Sequence, residues 1–122
     1  MSILMVGSNN DYKTLMHHIL NEDGHKYDLV YASSPREGIN RLMEHDDISL
    51  ILLHLSEHGS KNFLNQMPLD YDDINILLIS PRNVSDCMNL YHGCRKAPTD
   101  YLSMEYKDFF DKAIELVGKY HS

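Results

Sequence analysis

Leu50-Ile51-Leu52-Leu53-His54-Leu55 is the stretch on which the reading of this chain turns. Together with Ile48 and Ser49 it makes a short apolar run, as expected of a strand buried on both faces of a parallel sheet. Its one imidazole, His54, stands near the end of the run, where the chain reaches the turn Ser56-Glu57-His58-Gly59.

Two runs of the same kind flank it. Ile3 to Val6 predicts a first strand and Ile74 to Ile79 a fourth, each buried on both faces. Asp28 to Ala32 predicts the second strand and Asp100 to Leu102 a short fifth. Helical patterns fill the intervals. Gly7-Ser8-Asn9-Asn10 supplies a turn and a cap for a first helix, with Tyr12, Leu15, Met16, Ile19 and Leu20 inward and Gly24 as its stop. Ser34-Pro35-Arg36-Glu37 is a capping box with proline at the first helical position. It opens a second helix whose predicted buried stripe is Ile39, Leu42 and Met43. Lys61 to Gln66 predicts a short third helix ended by Pro68, before an acidic loop carrying Asp70, Asp72 and Asp73. Pro81 and Asn83 open a fourth, with Val84, Cys87, Met88 and Tyr91 on one face and Gly93 closing it. A fifth is expected from about Glu105 to about Tyr120, with Tyr106, Phe109, Phe110, Ala113, Ile114 and Val117 inward.

Five strands alternating with five helices, without long linkers or repeats, predict a doubly wound α/β domain. Its sheet is parallel and five-stranded, in the flavodoxin-like order 2-1-3-4-5, with helices on both faces. A chain of 122 residues suits one such domain, read as a single unit over 1–122. Met1 reads as a true N-terminus, and the last helix as able to continue into a further domain.

Composition narrows the function classes. The net charge of −7 argues against direct nucleic-acid binding, which needs clustered Lys and Arg. No apolar run approaches the roughly 20 residues of a membrane span, and Met1 to Val6 has no basic leader, so the cytoplasm is expected. Cys87 and Cys94, if on one helix, stand about 10 Å apart along its axis, too far for a disulfide. Asn83-Val84-Ser85 matches a glycosylation sequon without a secretory context. There is no dinucleotide-binding glycine motif and no P-loop, and Ser80 lacks the glycines of a nucleophile elbow. His54-Leu55-Ser56-Glu57-His58 spells H-x-x-E-H, but the motif straddles a strand end instead of lying on one helix. No cofactor and no enzymatic activity are expected.

In doubly wound sheets, ligands bind beyond the carboxyl ends of the strands, where the winding reverses. The rim there should comprise Gly7 and Ser8, His54, Ser80 and Met104.

The pieces ILMVGSNN, LILLHL, ILLIS and DYLSM, in this order, resemble the first, third, fourth and fifth strands of a response-regulator receiver domain of the CheY-like kind. The resemblance covers nearly the whole chain. It implies that Gly7 and Ser8 stand where that family has the acidic pair that holds Mg²⁺. His54 stands in place of the phosphoacceptor aspartate, and Met104 in place of the lysine, with Glu105 where a proline usually follows. Ser80 keeps the hydroxyl that contacts the phosphoryl group, and Tyr101 keeps the aromatic position. Mg²⁺ is typically held by carboxylates and an acyl phosphate needs a carboxylate nucleophile, and Gly7, Ser8 and His54 carry none. The resemblance therefore implies an atypical receiver with a degenerate phosphorylation site, acting in signalling through protein–protein interaction.

Its partner would be a signalling protein or a fused output domain. The expected surface is built from the fourth helix, fifth strand and fifth helix, with Leu90, Tyr101 and Lys112, and also serves as the expected homodimer face. The stretch Arg95-Lys96-Ala97-Pro98 is either a solvated loop or part of that face. The alternative, prompted by eight histidines, is a small-molecule or metal-ion sensor that reuses the vacated pocket.

Overall fold

The computed structural model describes residues 2–21, 27–81 and 83–121. Its sheet has five parallel strands, β1 (Ser2–Gly7), β2 (Asp28–Ala32), β3 (Ile48–His54), β4 (Asn75–Ser80) and β5 (Asp100–Ser103), in the order β2-β1-β3-β4-β5. Five helices intervene: α1 (Asn10–Asn21), α2 (Pro35–Glu44), α3 (Glu57–Gln66), α4 (Val84–Tyr91) and α5 (Phe109–Tyr120). A single 3-10 turn, Leu69–Tyr71, lies between α3 and β4. This is the doubly wound, flavodoxin-like architecture expected from the strand pattern.

Strand side chains alternate between two apolar layers because successive residues point to opposite faces. Ile3, Met5, Leu50, Leu52, Leu77 and Ile79 pack with α1 and α5. Leu4, Val6, Ile51, Leu53, Ile76 and Leu78 pack with α2, α3 and α4. Since both faces are covered, the strands read as unbroken apolar runs. The expected capping box is real at its serine: Ser34 Oγ accepts from the Glu37 N–H at 3.1 Å. Gly38 on α2 lets that helix press against α3 and β1, for a Cβ there would meet the Phe63 ring at 2.9 Å and the Val6 side chain at 3.1 Å.

Several helix expectations need correction. α3 begins four residues earlier than Lys61, because Ser56 accepts from the Gly59 N–H and caps it. α5 begins at Phe109, with Tyr106 in the preceding turn. α4 ends at Tyr91, with His92 rather than Gly93 as its cap, so Cys94 lies beyond the helix that carries Cys87. Met43 (63% exposed), Met88 (52%) and Phe110 (52%) face outward on the flanks of their helices' apolar stripes, and Tyr106 (44%), ahead of α5, is exposed as well. Gly24, the expected stop of α1, lies outside the described residues. Among the described residues no helix is long and apolar enough to cross a membrane.

Candidate functional site at the strand ends

Strand register brings the rim together. Gly7 at the end of β1 pairs with His54 at the end of β3, and Ser80 on β4 pairs with Ser103 on β5. The Met104 N–H donates to the Ser80 carbonyl at 2.8 Å. Gly7, His54, Ser80 and Met104 thus follow one another along a single sheet edge, with Ser8 exposed just beyond Gly7.

His54 continues the side of β3 that carries Leu50 and Leu52, so its ring turns toward α1. There it meets Tyr12, with ring centroids 4.4 Å apart and planes inclined by 39°. His54 Nδ1 lies 2.9 Å from the Ile79 carbonyl oxygen. A carbonyl only accepts, so Nδ1 carries a proton and donates.

Tyr12 is placed by Asn9, whose Oδ1 accepts from the N–H groups of Asp11 (2.8 Å) and Tyr12 (3.3 Å) at the start of α1. The Tyr12 side chain is 2% exposed, and its hydroxyl is buried with no hydrogen-bond partner among the described residues. Burial holds that phenol protonated, far above its ordinary range. The ring also explains Gly7: a Cβ there would sit 3.0 Å from two Tyr12 ring carbons and 3.0 Å from the His54 carbonyl oxygen. Met104, half-buried, packs against the same apolar layer that holds Tyr12. The rim's centre is therefore an aromatic and aliphatic plug, and none of the five rim residues carries a carboxylate or a cation.

Two clefts adjoin it. One, of about 200 Å³, is lined by Leu55, Ser56, Glu57, Ser80, Leu90 and Tyr91 among others. Glu57, on the first turn of α3, is 3.3 Å from the Lys61 ammonium and brings a carboxylate near Ser80. The other, of about 230 Å³, runs between α4, β5 and α5 and takes in Val84, Tyr101, Tyr106, Lys112 and Leu116. Tyr101 and Lys112 thus share a groove, while Leu90 opens on the first cleft. The Tyr101 phenol is pushed up by burial and by the neighbouring Cys87, Cys94 and Asp100.

The connection from α4 to β5 is pinned. Arg95 donates to both Asp72 carboxylate oxygens (3.0 and 3.4 Å), and its N–H donates to Asn65 Oδ1 at 2.9 Å. The Lys96 ammonium donates to the Asp72 carbonyl at 2.6 Å. Among the described residues no three His, Cys, Asp or Glu side chains are grouped to hold a metal.

Sequence reasoning placed Tyr12 inward but missed that its ring covers His54. The signal was the aromatic residue two positions after the Asn10 that begins the helix. Glu57 was missed as a rim residue because α3 was expected to start later.

The sequence matches no family model and no curated protein. The structure is similar to chemotaxis protein CheY4 of Vibrio cholerae, with a TM-score of 0.78, 13% identity, and 98% of this chain and 97% of that one covered. It is similar to a two-component response regulator from Legionella pneumophila, with a TM-score of 0.78, 14% identity and coverages of 99% and 98%. It is also similar to NtrX from Brucella abortus, with a TM-score of 0.74 and 16% identity, where 98% of this chain matches 27% of a longer one. At such identities the likeness speaks for the fold, and the fold of this chain is that of a response-regulator receiver domain.

Proposed function

We propose that this chain is an atypical receiver domain that works in signal transduction by protein–protein interaction, without phosphorylation of an aspartate. The observation that carries the reading is the Tyr12 ring, packed at a tilt against His54 and closing the space over Gly7. In the proposed alignment these are the acceptor and metal-binding positions. An acyl phosphate needs a carboxylate nucleophile, a hard-oxygen metal site and a compensating cation. Gly7, Ser8, His54 and Met104 provide none of these, and Ser80 alone keeps its chemistry.

The proposed working surface is the groove of α4, β5 and α5. Tyr101, Lys112 and the exposed Tyr106 line it, and α4 also carries Leu90 and the exposed Met88. The partner would be a signalling protein or a fused output domain. The match to part of the longer NtrX chain agrees with the second arrangement.

The test is incubation of the protein with acetyl phosphate and Mg²⁺, followed by intact-mass measurement. The reading expects no phosphoryl adduct. An acid-stable, hydroxylamine-labile adduct would contradict it.

A second reading, a small-molecule sensor, draws on the cleft beside Ser80 and Glu57. Isothermal titration with divalent metals and nucleotides separates the two, since the sensor requires a saturable heat from one of them.

A further inference from the structure

A further cleft, larger than the two at the strand ends, lies between α1 and the edge strand β2. It encloses about 290 Å³ and is lined by Lys13, Thr14, His17, His18 and Tyr31. Lys13 and His17 stand one turn apart on α1 and therefore face the same way. Tyr31 comes from β2, which has a sheet neighbour on one side only, and this leaves the cleft open at the sheet's edge.

What sets this cleft apart is the sign of its few polar groups, set in a largely apolar wall. The chain carries 18 acidic residues against 11 Lys and Arg, yet none of the lining residues is acidic. Every polar group in the lining can donate. The Lys13 ammonium gives one of its three protons to Ser33 Oγ at 2.7 Å and makes no ion pair among the described residues. Ser33, accepting from Lys13, keeps its own hydroxyl proton for a further acceptor. His17 Nδ1 lies 3.0 Å from the Tyr31 hydroxyl. If the phenol donates to Nδ1, the neutral imidazole keeps a proton on Nε2; if Nδ1–H donates to the phenol oxygen, the phenol keeps its O–H for another acceptor. Either way the pair retains a donor. Burial raises the Tyr31 phenol, which keeps it protonated and able to donate. Asn21 approaches the His17 ring at 3.4 Å and helps to hold it.

An ammonium and several donors beside concave, largely apolar walls match a small oxyanion, whose oxygens only accept. The cleft falls at or just below the roughly 300–1,000 Å³ usual for drug-sized ligands, so its ligand is small. Among the described residues no group of three His, Cys, Asp or Glu could hold a metal, which leaves the anion as the matching chemistry.

We propose that the α1–β2 cleft is a binding site for a small diffusible oxyanion, a phosphate ester or a carboxylate, held by Lys13, His17, Tyr31 and Ser33. The site is independent of the plugged rim, and it stands whether or not the chain acts as a receiver.

The test is an amide NMR titration of the full chain with sodium phosphate and, separately, with sodium malonate, at ionic strength held constant with sodium chloride. The proposal expects saturable shifts clustered at Lys13, Thr14, His17, Tyr31 and Ser33. Saturation by phosphate alone identifies a phosphate ester as the ligand class, by malonate alone a carboxylate, and by both an oxyanion of either kind. Lys13→Gln should weaken binding about tenfold or more, and Tyr31→Phe severalfold, as expected when a charge-assisted and a neutral donor are removed. Lys119→Gln, at the far end of α5, should leave it unchanged. Circular dichroism of each variant verifies that it is folded. Shifts that fail to saturate, that sodium chloride reproduces, or that survive Lys13→Gln unchanged would mean an adventitious ion only and would overturn the proposal.

Discussion

The Tyr12 ring lies 4.4 Å from the ring of His54, and a Cβ on Gly7 would come within 3.0 Å of it. Three elements, β1, α1 and β3, thus converge on one packed contact at the edge where doubly wound sheets bind ligands. Packing fills this part of the edge, and the consequences are measurable.

The Tyr12 hydroxyl is buried without a partner among the described residues, so it costs stability instead of adding it. Tyr12→Phe should raise stability by about 1 kcal/mol, read as a higher denaturation midpoint at unchanged m-value. Tyr12→Ala should lose about 3–5 kcal/mol, as large-to-small core changes do. A destabilising Tyr12→Phe would mean that the hydroxyl has a bonding role.

A single aspartate at position 54 should not create phosphorylation. In His54→Asp the new carboxylate still faces Gly7, Ser8 and Met104, with no metal-binding acid and no lysine beside it. The expected outcome is an unchanged mass after acetyl phosphate and Mg²⁺. Gly7→Asp should destabilise by about 1–3 kcal/mol through overpacking against Tyr12, measured by chemical denaturation.

The pinned α4–β5 connection gives a local prediction. Asp72→Asn removes the ionic half of the Arg95 contact but keeps an amide near the Lys96 and Arg95 donors. As a surface pair it should cost less than about 1 kcal/mol globally. Amide exchange should nonetheless quicken at residues 94–98, while exchange in β3 stays slow. Equal quickening in both would show that the contact supports the whole fold.

His121, just past α5, supplies a pH dependence. Its Nδ1 meets Ser49 Oγ at 2.5 Å, and burial lowers its pKa from the ordinary 6.5. The unfolded chain therefore binds this proton more readily than the folded one, so stability rises with pH. The contribution is complete above the ordinary imidazole range and is lost as pH falls through the lower folded value. Denaturation midpoints followed from pH 8 down to pH 5 should decline, and His121→Gln should decline less over the same interval.

The fold was legible because both sheet faces are covered. Leu4, Ile51, Leu52 and Leu78 sit in unbroken apolar runs, and strands of that kind need helices on either side. The Ser34 cap was legible for the same local reason. The outward turn of Met43, Met88 and Phe110 was not, because helical spacing marks an apolar face without showing where its buried seam ends. At the rim, strand ends located Gly7, His54 and Ser80, but ring stacking depends on rotamers and on the approach of α1. Those are tertiary facts, and no periodicity encodes them.

The central claim is that this rim no longer answers a phosphoryl group. The most direct measurement is the amide NMR spectrum of the labelled protein with and without Mg²⁺ and beryllofluoride, which imitates an aspartyl phosphate. The account predicts superimposable spectra, including the amides of Gly7, His54, Ser80, Tyr101 and Met104. Specific, saturable shifts at those residues would contradict it and would mean that the site still senses a metal or an anion.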